Sequence, residues 1–274
     1  MTWEPGHFYS PIPDLLEIHA RHDEIFGPVP TSIPGIELNT ERQLEFIDAA
    51  ADLAAEFPFK EAPLDGLRYH YDNGYFDSTD ALVLYTMLRL RHPARYVEIG
   101  SGWSSALALD VRDNFLGASM DCMFVEPFPD RLDALLRPQD HASTHILRSP
   151  LQAVWHQVLG EIGAGDVLFI DSTHVGKVGS DVLLELTEMI PRLPSGVLVH
   201  LHDIFYPFEY PPEWVYGGRY WNEAYFLRAL MTNNERLRIV VWNNYLSRCF
   251  SESVKAKLPL WSRSEGGSIW LETC

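Results

Sequence analysis

Tyr96-Val97-Glu98-Ile99-Gly100-Ser101-Gly102-Trp103-Ser104-Ser105 is the stretch that decides the fold. A short apolar strand runs straight into a Gly-x-Gly turn, and a helix-compatible run follows. Gly100 and Gly102 let the backbone turn tightly and leave no Cβ between the main chain and a ligand. The helix start beyond them offers free N–H groups and a positive dipole end, suited to a carboxylate or phosphate. A dinucleotide fingerprint would place a third glycine three residues after the second, but Ser105 stands there. A Gly-x-Gly alone marks only a tight turn, so its meaning depends on its surroundings.

Those surroundings alternate. Short apolar runs at 96–99, 122–125, 145–147, 167–170, 197–201, 238–242 and 268–271 read as strands. Helical patterns fill 104–115, 131–136, 151–159, 177–190 and 222–231 between them. The expected fold is α/β: a doubly wound, seven-stranded, mainly parallel sheet. No strong helix is evident between the last two runs, so they are expected to pair as an antiparallel hairpin at the sheet edge. Residues 1–79 form a preceding arm and helical extension, rich in Pro and Gly to residue 40, with helices expected near 14–22 and over 41–56. The ligand-binding domain is expected over 80–274, beginning with a helix that stops at Pro93.

Composition narrows the partners. The 274 residues are 46% hydrophobic and carry a formal net charge of -17, so a well-filled core is available and a phosphate backbone or anionic membrane is repelled. Nucleic acid and membranes are therefore not expected partners. No apolar run approaches the roughly 20 residues of a membrane helix. Cys122, Cys249 and Cys274 show no CxxC spacing, which suits a reducing, cytoplasmic setting.

The second strand run ends in Glu126, placed to accept the two hydroxyls of a ribose. After the third comes Ser149, which reads as facing an adenine edge. With Glu98 at the end of the first strand and Glu126 at the end of the second, residues 80–274 resemble the class I S-adenosylmethionine-dependent methyltransferases. That resemblance implies S-adenosyl-L-methionine as cofactor, with Glu98 and Gly100 by its methionine part, Ser101 and Gly102 in the turn and Glu126 on the ribose.

The fourth and fifth runs end in Asp171-Ser172-Thr173-His174 and His202-Asp203. Strand carboxyl ends hold the ligands of open α/β sheets, so these side chains are expected to converge beside the cofactor. Carboxylates with imidazole suit a divalent metal, Mg²⁺ or Mn²⁺ by the carboxylates, with Fe²⁺, Zn²⁺ or Co²⁺ left open by the histidines. The layout resembles the metal-dependent O-methyltransferases of catechol and macrolide-sugar type. By that resemblance the metal ligands are Asp171, His202 and Asp203, with Asp171 also in the catalytic and cofactor site, and the general base is His174. His202 departs from the relatives, which carry an acid there. His200 is expected to alternate away from His202 and to pack in the core.

Beyond Asp203 a long aromatic and proline insertion covers the acceptor side. Tyr206, Arg219, Trp221 and Asn222 are its candidate acceptor contacts, and Gly217-Gly218 a hinge. Residues 7–10 and 69–76 are further candidates for the pocket wall. The insertion reads equally as a rigid loop or a contact in a homo-oligomer. The expected function is methylation of a small-molecule acceptor, a sugar or secondary-metabolite hydroxyl. Metal-free methyl transfer to nitrogen, carbon or a peptide, other sulfonium chemistry and a non-catalytic cofactor-binding module stay open.

Overall fold

Strands and helices alternate from residue 95 onward in the computed structural model, which describes residues 3–274. Four helices precede the sheet: α1 (Leu15–Ala20), α2 (His22–Ile25), α3 (Thr40–Ala54) and α4 (Ser78–Arg91). Then come β1 (Arg95–Ile99), α5 (Trp103–Phe115), β2 (Asp121–Val125), α6 (Asp130–Leu135), α7 (Asp140–Ser143) and β3 (Thr144–Leu147). The second half runs α8 (Leu151–Glu161), β4 (Val167–Ile170), α9 (Asp181–Leu184), β5 (Leu198–Leu201), α10 (Pro212–Tyr216) and α11 (Glu223–Met231). It closes with β6 (Leu237–Trp242), α12 (Asn243–Cys249), α13 (Ser251–Lys257) and β7 (Ile269–Thr273).

The strand order is β3-β2-β1-β4-β5-β7-β6. β1 to β5 pair in parallel, and β7 runs antiparallel to both β5 and β6. This is the expected doubly wound, mainly parallel seven-stranded sheet. Chain order reverses at β1, which has β2 on one side and β4 on the other, so a crevice opens at their shared carboxyl ends.

Two local expectations are corrected. β6 and β7 pair antiparallel at the edge as expected, but α12 and α13 lie in the connection where no strong helix was evident. The apolar positions of this connection are short runs between polar residues, too brief to stand out as a period. The helix expected over 177–190 begins only at Asp181, where the Ser180 hydroxyl accepts the Leu183 N–H. From Glu185 to Met189 it widens into a π turn.

α4 is buried on nearly every face from Ser78 to Leu88 because α3 and α5 flank it. The Asp77 carboxylate caps it, accepting the N–H groups of Thr79 at 2.9 Å and Asp80 at 3.3 Å. One buried core runs from Ile33 to Leu271. Residues 33–76 therefore pack into the same core as the sheet.

Arg68 fastens this segment from below. Its side chain is 1% exposed and donates to Asp110 at 2.8 Å, to Asp113 at 2.8 Å and to Asp140 at 2.6 and 2.9 Å. The Asp110 carboxylate also accepts the main-chain N–H groups of Arg68 and Tyr69. The 69–76 stretch is thereby held over the sheet's carboxyl edge. Among the described residues no helix is long and apolar enough to cross a membrane.

Candidate functional site at the carboxyl ends of the parallel strands

The glycine turn is built as its sequence demands. Gly100 has φ +78°, and a Cβ there would lie 1.8 Å from the Asp171 carbonyl oxygen. Only glycine fits where the β1 turn presses on the end of β4. The Asp171 N–H donates to Ile99 O at 2.9 Å and fastens the two strand ends together.

Glu98 lies beneath the turn, fully buried. Its carboxyl group accepts the hydroxyls of Ser104 and, at 2.6 Å, Ser105. The Ser105 oxygen in turn accepts the Gly102 N–H at 3.0 Å. The acid thus ties strand, turn and helix start together, which is also why Ser105 rather than glycine stands there. Burial pushes the Glu98 carboxyl up to about 8. Glu98, expected by the methionine part of the cofactor, exposes no surface of its own beneath the turn.

Glu126 is half-buried at the end of β2. One carboxylate oxygen accepts the Ser101 N–H at 2.9 Å and the other the Phe128 N–H at 2.8 Å. The Ser101 hydroxyl is buried and has no partner among the described residues. Ser149 is half-buried just past β3, the strand that pairs with β2.

Arg131 is an addition that the sequence reading does not single out. Its side-chain carbon lies 3.1 Å from where a Gly102 Cβ would be, and its guanidinium stacks 3.8 Å over the Tyr75 ring. A cation therefore covers the turn. Its signal in the sequence is weak: one arginine opening the helix after Glu126.

Past β4 and β5, His174 and Asp203 both hold left-handed backbone, with φ +59° and +56°. Such conformations are costly for residues with side chains and collect at functional sites. The His174 Nε2 lies 3.2 Å from Asp171 and 3.7 Å from Asp203, and its Nδ1 is 2.8 Å from Glu223. Trp221 stacks on the imidazole at 4.3 Å. Burial opposes the His174 charge, but the hydrogen bonds and charges of Asp171 and Glu223 outweigh it and hold its pKa well above the usual histidine range. Asp171 is held low: burial opposes its ionisation, but His202 and His174 overcome that penalty. Burial raises Asp203.

One ligand atom each from Asp171, His174 and Asp203 lies within 4.8 Å of the others. Asp171 and Asp203 belong to the expected set of Asp171, His202 and Asp203, and His174 stands in this group where His202 was expected. The His202 Nε2 is 3.8 Å from Asp203, while its ring packs on Phe76 and on His200 at 5.6 Å. Residues two apart on a strand share a face, so His200 does not alternate away from His202. It is a core residue nonetheless, buried and stacked on Phe169 at 3.7 Å, with burial holding its pKa well below the usual value.

Glu223, another residue without an expected role, is fully enclosed behind His174. The N–H groups of Asn222 and Glu223 both donate to His174 O, at 3.1 and 3.2 Å. The start of α11 thus grips the His174 loop. The Glu223 contact spans 49 residues of chain, and no local pattern announces it. Glu185, opening the π turn, accepts the Ser172 hydroxyl at 3.0 Å. Burial and the Glu223 charge push the Glu185 carboxyl well up.

Of the four acceptor-side candidates, Arg219 and Trp221 line a cavity of about 850 Å³ with His202 and Asp203. Tyr206 does not: it is fully buried, donates to Pro30 O at 2.6 Å and packs on Trp242. Asn222 instead braces the His174 loop, its side-chain oxygen accepting the Gly176 N–H at 2.6 Å. Within 69–76, Gly74 and Tyr75 reach the cavity, whereas Tyr69 and Phe76 are core. Residues 7–10 do not line it.

Comparison with known proteins follows the same geometry. A methyltransferase domain family matches residues 97–204. An uncharacterized protein of Archaeoglobus fulgidus is 38% identical over 128 residues, 46% of this chain, and the match spans 58% of that relative's length. Among solved structures, the S-adenosylhomocysteine-bound Podospora anserina methyltransferase PaMTH1 is 13% identical, with 96% of this chain and 98% of that one covered and a TM-score of 0.45. The Streptomyces achromogenes O-methyltransferase TomG is 13% identical over 94% of this chain and 96% of its own, with a TM-score of 0.42. Neither likeness bears on substrate. Residues 97–204, which hold the glycine turn between β1 and α5 and the ends of β2, β4 and β5, are therefore the part of this chain that is similar to a methyltransferase domain.

Proposed function

We propose that this chain binds S-adenosylmethionine in the β1–β2 crevice and transfers its methyl group to a hydroxyl of a small molecule. The observation that carries the reading is the contact between the Gly100 turn and Asp171. It sets the glycine turn against the strand end that carries the Asp171–His174–Asp203 cluster, which supports reading the two as neighbouring parts of one site. The cofactor fits the crevice on two counts: a buried Ser101 hydroxyl without a partner among the described residues and a Glu126 carboxylate held at a strand end.

Methyl transfer is a displacement at a sulfonium carbon, so the chain must align the acceptor and remove its hydroxyl proton. Asp171 and Asp203 have the charge and oxygen donors to hold a divalent cation. When bound, the cation supplies an anchor for the hydroxyl, lowers its pKa and offsets the carboxylate charge that keeps His174 protonated. Glu223 fixes His174 through Nδ1–H, leaving Nε2 to take the acceptor's proton, and Glu223 stabilises the imidazolium that results. Trp221 holds the ring plane.

A second reading makes His174 Nε2 a third metal ligand, since it belongs to the same converging set. Manganese titration followed by electron paramagnetic resonance separates the two. Asp203→Asn is expected to weaken Mn²⁺ binding about tenfold or more, while His174→Gln leaves it nearly unchanged. Equal loss in both variants would favour ligation by His174, and unchanged binding in Asp203→Asn would remove the metal from the proposal.

A further inference from the structure

The cavity beside His174 has the chemistry to select one acceptor class. Its aromatic wall consists of Phe205, Trp214 and Trp221, with Trp214 edge-on to Phe205 at 5.1 Å and to Trp221 at 5.3 Å. Trp221 is the ring that stacks on His174, which does not itself line the cavity, so the wall adjoins the proposed base through this ring. Flat rings gain from offset or edge contacts with such a wall.

The charges facing the cavity divide into committed and uncommitted groups. Asp80 accepts from Asn243, Ser268 and the Gly267 N–H. Asp77 caps α4, and Glu265 accepts from Asn244 at 3.1 Å. Asp203 belongs to the proposed metal cluster, and Glu213 is exposed on α10. The two arginines differ. The Arg219 guanidinium lies 4.5 Å over Trp214 and 5.6 Å over Trp221, held by ring faces. Arg248 donates to the Tyr206 carbonyl at 2.8 Å. Among the described residues neither forms an ion pair, and both are exposed to the same cavity. Each retains N–H donors in the planar fork that matches a carboxylate.

We infer that the acceptor is a flat, hydroxylated ring compound carrying an anionic group, its ring on the Trp214–Trp221 wall and its carboxylate, or an equivalent anion, on Arg219 and Arg248. This rests on the proposed hydroxyl methylation and adds the charge and shape of the molecule methylated. It also explains how an acidic chain accepts an anion, since local guanidinium groups act at contact distance where the protein's long-range field is screened.

Calorimetry with three probes tests it on the full chain: 3,4-dihydroxybenzoate, uncharged catechol and cationic dopamine, each with and without saturating S-adenosylhomocysteine. The benzoate is expected to bind about tenfold tighter than catechol, with dopamine weakest. In the Arg219→Gln/Arg248→Gln double variant the benzoate advantage is expected to fall below about threefold. S-adenosylhomocysteine affinity should stay at the wild-type value, which reports an intact fold. Tightest binding by dopamine, a benzoate advantage that survives the double substitution, or no binding by any probe would overturn the inference. Failure of the methyltransferase reading looks different: S-adenosylhomocysteine itself would not bind, while the probe preference without it would still be measured.

Discussion

At the ends of β1 and β2 the site is held by main chain, and at the ends of β4 and β5 it is held by side chains from far along the sequence. Gly100 presses on the Asp171 carbonyl, and the N–H groups of Ser101 and Phe128 fix Glu126. The turn residues lie close in sequence, and substitution there meets backbone that cannot yield. His174, by contrast, is positioned by Glu223 and Trp221, and Arg219 by Trp214 and Trp221. The first half is a rigid cradle, and the second is a set of contacts that the insertion can vary. A common cofactor and a particular acceptor would call for that division.

The sharpest break in the comparison is Gly100→Ala. A Cβ at left-handed φ against a carbonyl oxygen is expected to cost roughly 3 kcal/mol or more of stability and to abolish cofactor binding. Thermal melting and calorimetry measure both, and a variant that melts and binds like wild type would show that the turn is not rigid.

The acidic residue below the turn gives the next effect. Burial raises Glu98 from 4.5 to about 8, so the folded state holds a proton that the unfolded chain releases near its ordinary pKa. Stability from this group is full below about pH 4.5 and is lost as pH rises toward about 8, on the order of 3–5 kcal/mol over that window. Glu98→Gln should flatten that part of the stability profile in denaturant titrations at several pH values. An unchanged slope would mean that Glu98 is not protonated in the fold.

On the side-chain-held half, Glu223→Gln removes a charge but keeps an acceptor for His174. The His174 titration midpoint in the metal-free protein, followed by NMR with His174→Gln for assignment, should drop because the charge that helps hold it up is gone. Stability linked to this imidazolium is present below about pH 6.5 and fades as pH rises through its elevated folded pKa, so the variant loses it at lower pH. An unmoved midpoint would detach Glu223 from the proposed base.

The same division governs what the sequence made legible. All seven strands and the glycine turn follow from short-range pattern, because apolar runs, glycines and strand-end acids act within a few residues of one another. The role of Ser105 followed less fully: its place in the motif was visible, but its bond to Glu98 was not. Glu223, Arg131 and the π turn at Glu185 depend on which distant elements meet, and hydrophobic period carries no trace of that. Tyr206 was expected on the acceptor because it lies in an aromatic run. Pro30, from the N-terminal arm, supplies the carbonyl that draws its hydroxyl into the core. His200 and His202 share a face by simple strand alternation, which their spacing in the sequence already carries.

Glu126 at the end of β2 is the residue proposed to hold S-adenosylmethionine in the β1–β2 crevice. Isothermal titration of the cofactor into wild-type protein and Glu126→Ala tests it most directly. A single site weakened about tenfold or more, roughly 1.4 kcal/mol, is the predicted result. No binding to the wild type, or equal affinity in the variant, would contradict it.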